Sequence, residues 1–395
     1  MPAARLPLEG IRVIDLSKLL PGSLCGQMLG DLGAEVLKVE DIERGDDFRW
    51  APPRFKHFGS YFHMVNRNKL GVRINLKHPR GKELFIRLAE SADVLLETFR
   101  PGVMAKLGLG YEQLQAVNPR LIYCSLTGFG QDGPYRDRAA HDINFLSLSG
   151  VLDLIGERDG RPAVPAIQIA GVGGGALNAC IAILAALYNR HFTGKGEHLD
   201  ISILDGLTPF LSLPMAEYLA TGKVPRRGTA TVGGGYAFYN VYETADGRFL
   251  TLGCLETKFW SNFCEVIGKK ELIEHQFTPP PEQDRVIKEV AEVIKTRPLK
   301  EWVEILSQHD VCFSPVNSLD EVFNDPHIVH RGLWFKTEHP LEGGLGQQGF
   351  PAQFSWGRPG WRRLAPAHGE HTFEVLKSLG YGEEEIGVLV QERVI

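Results

Sequence analysis

The stretch GIRVIDLSKLLPGSLCGQMLGDLGAEVLKVE, residues 10–40, decides the fold. It opens on an apolar run, IRVIDL (11–16), that closes on Asp15 and reads as a strand. The loop LSKLLPG leads to a helix over 23–32, packed closely near Gly33, and EVLKVE (35–40) reads as a second strand. Two strands joined through a helix make a βαβ unit, the building block of a parallel sheet.

Outward from this unit the alternation continues. An irregular segment, 41–70, rich in aromatic and charged residues, is long for a loop and is expected to be functional. VRINLKHPRG then enters a helix over 80–91 whose apolar positions recur at helical spacing. ADVLLETF (92–99), a short helix and LIYCSLTGFG (121–130) follow. The fold class expected is therefore α/β, a parallel sheet with helices on both faces, with ligands beyond the carboxyl ends of the strands. The polar residues at those ends are Lys38 and Glu40, the run Glu97–Gly102, and Thr127–Gly130.

After Asp205 the pattern changes. A helical segment (207–221) and the basic turn GKVPRRG precede TVGGGYAFYNVYETADGRFLTLGCLETKFW, where alternating residues flank the turn Ala245-Asp246-Gly247, a hairpin signal. Helices are expected at 258–267, 283–296, 299–308 and 319–324. The expected organisation is a large domain over 1–225, completed by 331–395, and a smaller α+β domain over 226–330. The tail HGEHTFEVLKSLGY is expected to pack back on the first domain.

Composition excludes several classes. A net charge of -5 and a pI near 6.2 give no electrostatic reason to expect nucleic acid or an anionic membrane as partner. The cysteines are scattered, with no CxxC pair and no histidine at metal spacing, so a reduced cytoplasmic protein without metal is expected. The N-terminus has no apolar signal core, and the run Ala176–Tyr188 is expected to be too short to cross a bilayer.

Three features could carry chemistry. Gly173, Gly174 and Gly175 interrupt a strand-like run just before an apolar helix, whose first amides could face an anion or a developing oxyanion. Gly171 to Ala176 also satisfies G-x-G-x-x-[GA], a dinucleotide fingerprint, but no acid closes the next strand about twenty residues on. The plain alternative is that the glycines let a helix pack against a strand. His141, followed by Asp142, could be a general base with an orienting neighbour, or a structural histidine bonded to backbone. Glu256 could be catalytic, or simply a carboxylate at a helix N-terminus.

Long motifs then carry a resemblance. GIRVIDLSKLLPG, MLGDLGAEVLKVE, NRNKLGVRINLKHPRGKELFIRLAESADVLLETFRPGVMAKLGLGYEQL and NPRLIYCSLTGFGQDGPY resemble the class III CoA-transferase family, the group of carnitine CoA-transferase, formyl-CoA transferase and α-methylacyl-CoA racemase. AAHDINFLSLSGVL and YNVYETADGRFLTLGCLETKFW are nearest to its racemase branch. The resemblance implies a Rossmann-like sheet, a smaller domain, two chains interlocked like rings of a chain, and a CoA thioester as ligand. Position by position it implies CoA contacts at Lys38, Asn75, Leu76, Lys77, Thr98, Phe99, Arg100, Lys106, Thr127 and Gly128. Arg100 and Lys106 would suit the phosphates, and segment 41–70 would lie near the adenine or the acyl end.

The family's chemistry rests on an aspartate just before the glycines. In its transferases that carboxylate attacks the donor thioester; in its racemases it shares proton transfer with the histidine. Here the pair reads Ala170-Gly171, and no Asp or Glu occurs from Arg161 to Leu187. The resemblance thus implies the acid-less half of a hetero-oligomeric CoA-transferase, comparable with subunits acting on aromatic succinates of the benzylsuccinate type, with acyl-CoA and carboxylic acids as substrates. The alternatives are a homodimer in which His141 performs one-base proton exchange, and a CoA-thioester binding protein without turnover.

Overall fold

The computed structural model describes residues 5–395 and divides into two compact units. The first comprises the chain up to Leu148, Ile167–Thr208 and Pro326–Ile395; the second comprises Ser149–Ala166 and Pro209–Asp325. The boundaries differ from the sequence expectation in that 149–166 and 209–225 join the smaller unit rather than the larger one, and 326–330 the larger rather than the smaller.

The first unit is built on six parallel strands: β1 (Arg12–Asp15), β2 (Glu35–Glu40), β3 (Lys69–Arg73), β4 (Val94–Glu97), β5 (Ile122–Thr127) and β6 (His198–Ser202). Their order, β3-β2-β1-β4-β5-β6, reverses direction of growth between β1 and β4. Crossovers on either side of that point leave a crevice at the carboxyl ends of β1 and β4, where open α/β sheets bind ligands. β4 and β5 are buried at every position, as a sheet covered on both faces requires.

β3 is a correction. KLGVR lies at the edge of what reads as an irregular segment, and its lysine and glycine hide the strand signal. Lys69 can sit inside a sheet only because Asp15, Asn66 and the carbonyl of Ser23 receive its ammonium at 2.7, 2.9 and 2.8 Å. The rest of 41–70 is also ordered, by Arg49 on Glu40, Arg67 on Asp31 and a short helix, Ser60–Val65.

One face of the sheet is covered by the helix Pro79–Glu90 and by the C-terminal tail. Leu84, Phe85 and Leu88 share a core with Val375, Leu376, Ile386 and Leu389 of the helices Thr372–Ser378 and Glu383–Gln391. The tail thus packs on the first unit.

The glycine run gave a second difference. It is not a strand-to-helix turn: Ala170–Leu177 forms wide helical turns that continue without a break into Asn178–Thr193. Gly194, at φ +68°, ends the helix by bonding the carbonyl of Arg190. Its 24 residues, with mean hydropathy 1.8 in its most apolar window, are long and apolar enough to cross a membrane, unlike the shorter run expected. Only 44% of that window is buried, so one face meets the sheet and the other is bare.

The second unit holds a three-stranded antiparallel sheet, β7 (Tyr239–Glu243), β8 (Phe249–Gly253) and β9 (Phe313–Pro315), with the hairpin turn at the expected Ala245-Asp246-Gly247. Trp260, Phe263, Val290, Ile294 and Trp302 from three amphipathic helices form its core.

Candidate active site

Two groups of polar residues sit at the carboxyl ends of the first unit's strands. The first, beyond β1, β2 and β3, is closed. Lys38 and Lys69 are fully buried, as are Asp15 and Asp46. Lys38 bonds the carbonyl of Ser17 at 2.9 Å and pairs with Asp46 at 3.0 Å. Burial alone would raise the Asp15 carboxyl, but the ammonium groups of Lys69 and Lys38 prevail and hold it below its usual range. Burial lowers Lys69 to about 8 even against Asp15.

Lys38 therefore differs from what the resemblance implied. Its ammonium lies inside the unit with its bonds made internally, and it reaches no position from which a phosphate in solvent could bind it. The strand end gave the right place in the sheet but the wrong side of the surface.

The second group lies at the β1/β4 crevice and is open. The amide of Lys18, just past β1, donates to Thr98 Oγ1, just past β4, at 3.1 Å and ties the two strand ends together. Leu20, in the first turn of the helix Leu19–Asp31 that follows, reaches Gly171: a β-carbon added there would stand 3.7 Å from Leu20 Cδ2. The helix Asp142–Ser149 is seated on the turn after β5 by Phe145, which is buried against Gly128. A β-carbon at Gly128 would meet the Phe145 ring at 2.8 Å, so the glycine is required by packing there. Thr127 is buried with its hydroxyl accepting from the amide of Gly130 at 3.0 Å, fixing the turn between them.

At the first turn of that helix stands Asp142, which the sequence reading takes only as an orienting neighbour of His141. Asp142 Oδ1 accepts a hydrogen bond from the amide of Gly171 at 2.6 Å, across 29 residues of chain. A β-carbon at Gly171 would stand 3.4 Å from that oxygen. All neighbours of such a β-carbon lie at ordinary contact distance, so a methyl fits at 171. Gly174 is different: a β-carbon there would approach the Ile203 carbonyl to 2.5 Å. Gly174 is glycine for packing; Gly171 is not.

The amides of the glycine run are mostly inside the helix, so the expected bank of free donors is reduced. Val172 donates to the carbonyl of Gln168 at 3.1 Å, and Gly171 is taken by Asp142. His141 is exposed; its amide donates to Asn144 Oδ1 at 2.9 Å, while its ring makes no hydrogen bond among the described residues. The backbone-bonded histidine thus lacks its bond, and the imidazole is free to act on a ligand.

The other expected contacts divide by exposure. Lys77, Arg100 and Lys106 are exposed and make no ion pair among the described residues. Asn75 is partly committed to the C-terminus, its side-chain amide donating to the Arg393 carbonyl at 3.3 Å, and Leu76 packs against the core. Phe99 is half-buried, and its amide donates to Glu97 Oε2 at 2.8 Å. Burial pushes Glu97 up to about 7, against the restraining hydrogen bonds of Ser125 and Phe99. Glu256 belongs to the second unit, exposed, where it precedes the helix Thr257–Val266 without a side-chain capping bond. The second unit also has an open groove of about 1320 Å³ with Arg158, Arg161, Tyr239 and Asn240 on its walls. There Arg158 is already paired with Asp284 at 2.7 Å. Among the described residues no group of His, Cys, Asp and Glu could hold a metal ion.

Comparison with known proteins agrees with this architecture. The model of CoA-transferase family III matches residues 8–372. Human succinyl-CoA:glutarate CoA-transferase is 33% identical over 98% of this chain and 90% of its own length. Human alpha-methylacyl-CoA racemase is 36% identical over 99% of this chain and 98% of its own. The crystal structure of a CaiB/BaiF family protein from Brucella suis superposes with a TM-score of 0.83 at 32% identity, covering 95% of this chain and all of that one. With the match running from the first strand to residue 372, the start of the helix Thr372–Ser378, the chain belongs to CoA-transferase family III.

Proposed function

We propose that this protein transfers CoA between carboxylic acids, with the thioester lying over the β1/β4 crevice beside Gly171. The observation that carries this reading is the convergence there of Lys18, Thr98, Gly171 and Asp142. Three exposed, unpaired cations, Lys77, Arg100 and Lys106, are available to the CoA phosphates. The acids named in its relatives, succinate and glutarate, are the first donor and acceptor to try. The protein works in the cytoplasm in this reading, with its six cysteines as thiols.

A second chain completes the molecule. The bare face of the helix Ala170–Thr193 presents Ile181, Tyr188 and Phe192, exposed by 63, 71 and 67%. Apolar side chains grouped on one helix face mark a surface for contact, and an interlocked partner would cover it. If that partner is a sister chain, it could also bring the aspartate that position 171 lacks; the absence of any acid from 161 to 187 favours this second reading.

Mixing the purified protein with succinyl-CoA and glutarate tests the proposal. Formation of glutaryl-CoA is expected. If only α-deuterium from D₂O enters a 2-methylacyl-CoA, His141 proton exchange is the activity and CoA transfer is not. Native mass spectrometry of the protein from its own cells distinguishes a homodimer from a pair with a sister chain.

A further inference from the structure

We infer that Asp142 is the carboxylate nucleophile of this protein, taking from the neighbouring helix the role that position 171 cannot fill. The inference rests on the CoA-transfer reading above and names the residue that performs it.

Three observations carry it. Asp142 Oδ1 lies 2.6 Å from the Gly171 amide and 3.4 Å from where a β-carbon at 171 would be, so its carboxylate borders the space that a side chain at 171 would enter. That bond is the only one its carboxylate accepts from the described residues, and the second oxygen is left without a protein donor. Asp142 is half-buried, reachable by a ligand yet held in place. The buried charged groups beyond β1, β2 and β3, Asp15, Lys38, Asp46 and Lys69, are paired with one another, so a carboxylate with one oxygen bound and one free stands apart from them.

The glycine fits this assignment. A carboxylate at 171 would crowd Asp142 with like charge; with glycine there, a single carboxylate remains at this spot. The amide of Gly171 orients it, a bond that an attacking aspartate would also use to hold its angle.

The chemistry balances without a cofactor. The free Asp142 oxygen attacks the donor thioester carbon; a C–O bond forms, the C–S bond breaks and CoA leaves as thiolate. The thiolate attacks the Asp142 carbonyl carbon of the resulting anhydride, making an aspartyl–CoA thioester and releasing the donor acid as carboxylate. The acceptor carboxylate attacks that thioester, again expelling thiolate, and the thiolate attacks the acceptor carbonyl of the second anhydride. Acceptor-CoA departs and the Asp142 carboxylate is restored, with no net proton or electron consumed.

The test uses the full-length protein with succinyl-CoA as probe, trapping with hydroxylamine and mapping the modified peptide by mass spectrometry. The hydroxamate is expected on Asp142. Asp142→Asn should keep CoA binding, measured by calorimetry, and lower the exchange of labelled succinate into succinyl-CoA by on the order of 10³-fold. The double variant Asp142→Asn/Gly171→Asp should regain both exchange and a trappable adduct, now at 171, which guards against the single variant failing for want of folding. Exchange undiminished in Asp142→Asn, or a hydroxamate on another residue or on a sister chain, overturns the assignment while leaving CoA transfer standing. Absence of exchange and of adduct in the wild-type protein overturns CoA transfer as well.

Discussion

Two groups of polar residues at the carboxyl ends of one sheet behave differently. Beyond β1, β2 and β3, two aspartates and two lysines are sealed from solvent and satisfy one another at 2.7 and 3.0 Å. At the β1/β4 crevice one aspartate has a single backbone bond, a histidine ring has none among the described residues, and a glycine stands where a methyl would fit. Charge density does not distinguish them. What does is whether each polar atom already has its partner: complete pairing fixes a fold, incomplete pairing leaves a group for a ligand.

The largest effect should come from breaking the closed end. Lys69→Met strands Asp15 without its ion-pair partner in the interior and should cost about 3–5 kcal/mol, read by urea unfolding. A loss under about 1 kcal/mol would mean that this end is not sealed.

Next in size is a contrast between two glycines of one helix. Gly174→Ala drives a methyl against the Ile203 carbonyl and should destabilise by about 1–3 kcal/mol. Gly171→Ala meets nothing closer than 3.4 Å and should instead stabilise by up to about 1 kcal/mol, the ordinary helical gain over glycine. Equal costs at both positions would remove the claim that 171 is open.

Glu97, at the end of β4, allows a test by pH. Folding raises its pKa from the ordinary 4.5 to about 7, so in that window the native protein keeps a proton which the unfolded chain has released. Stability therefore falls as pH rises from 4.5 to 7, by up to about 2–3 kcal/mol for this group. Glu97→Gln should flatten that part of the profile and raise Tm at pH 8; an unchanged slope would contradict it.

The smallest effect concerns the rim. Arg100→Ala should weaken CoA binding by about 1–3 kcal/mol through loss of a charged bond to phosphate, measured calorimetrically, with stability unchanged. Lys38→Met should do the reverse, lowering stability without touching the phosphates.

The sheet was legible from residues 10–40 because a βαβ unit leaves both an apolar strand pattern and a helix between strands. β3 was not, since its lysine is acceptable in a strand only with Asp15 beside it, and nothing local announces that contact. Lys38 shows the same blindness from the other side: its place at a strand end could be read, its burial could not. The crevice was partly legible. His141 and the vacancy at 171 were visible in the residues, but Asp142 looked like a neighbour of the histidine because its contact with Gly171 spans 29 positions. The one cue was its place at the start of a helix that the Gly128–Phe145 contact seats beside the glycine run.

The central claim is that a carboxylate of this chain faces the thioester. A crystal structure of the Asp142→Asn variant with succinyl-CoA tests it most directly. The thioester carbonyl carbon is predicted to lie at near-attack distance, about 3–3.5 Å, from the side chain at 142 and over Gly171. A thioester turned toward a carboxylate of a partner chain, or seated away from the β1/β4 crevice, would contradict it.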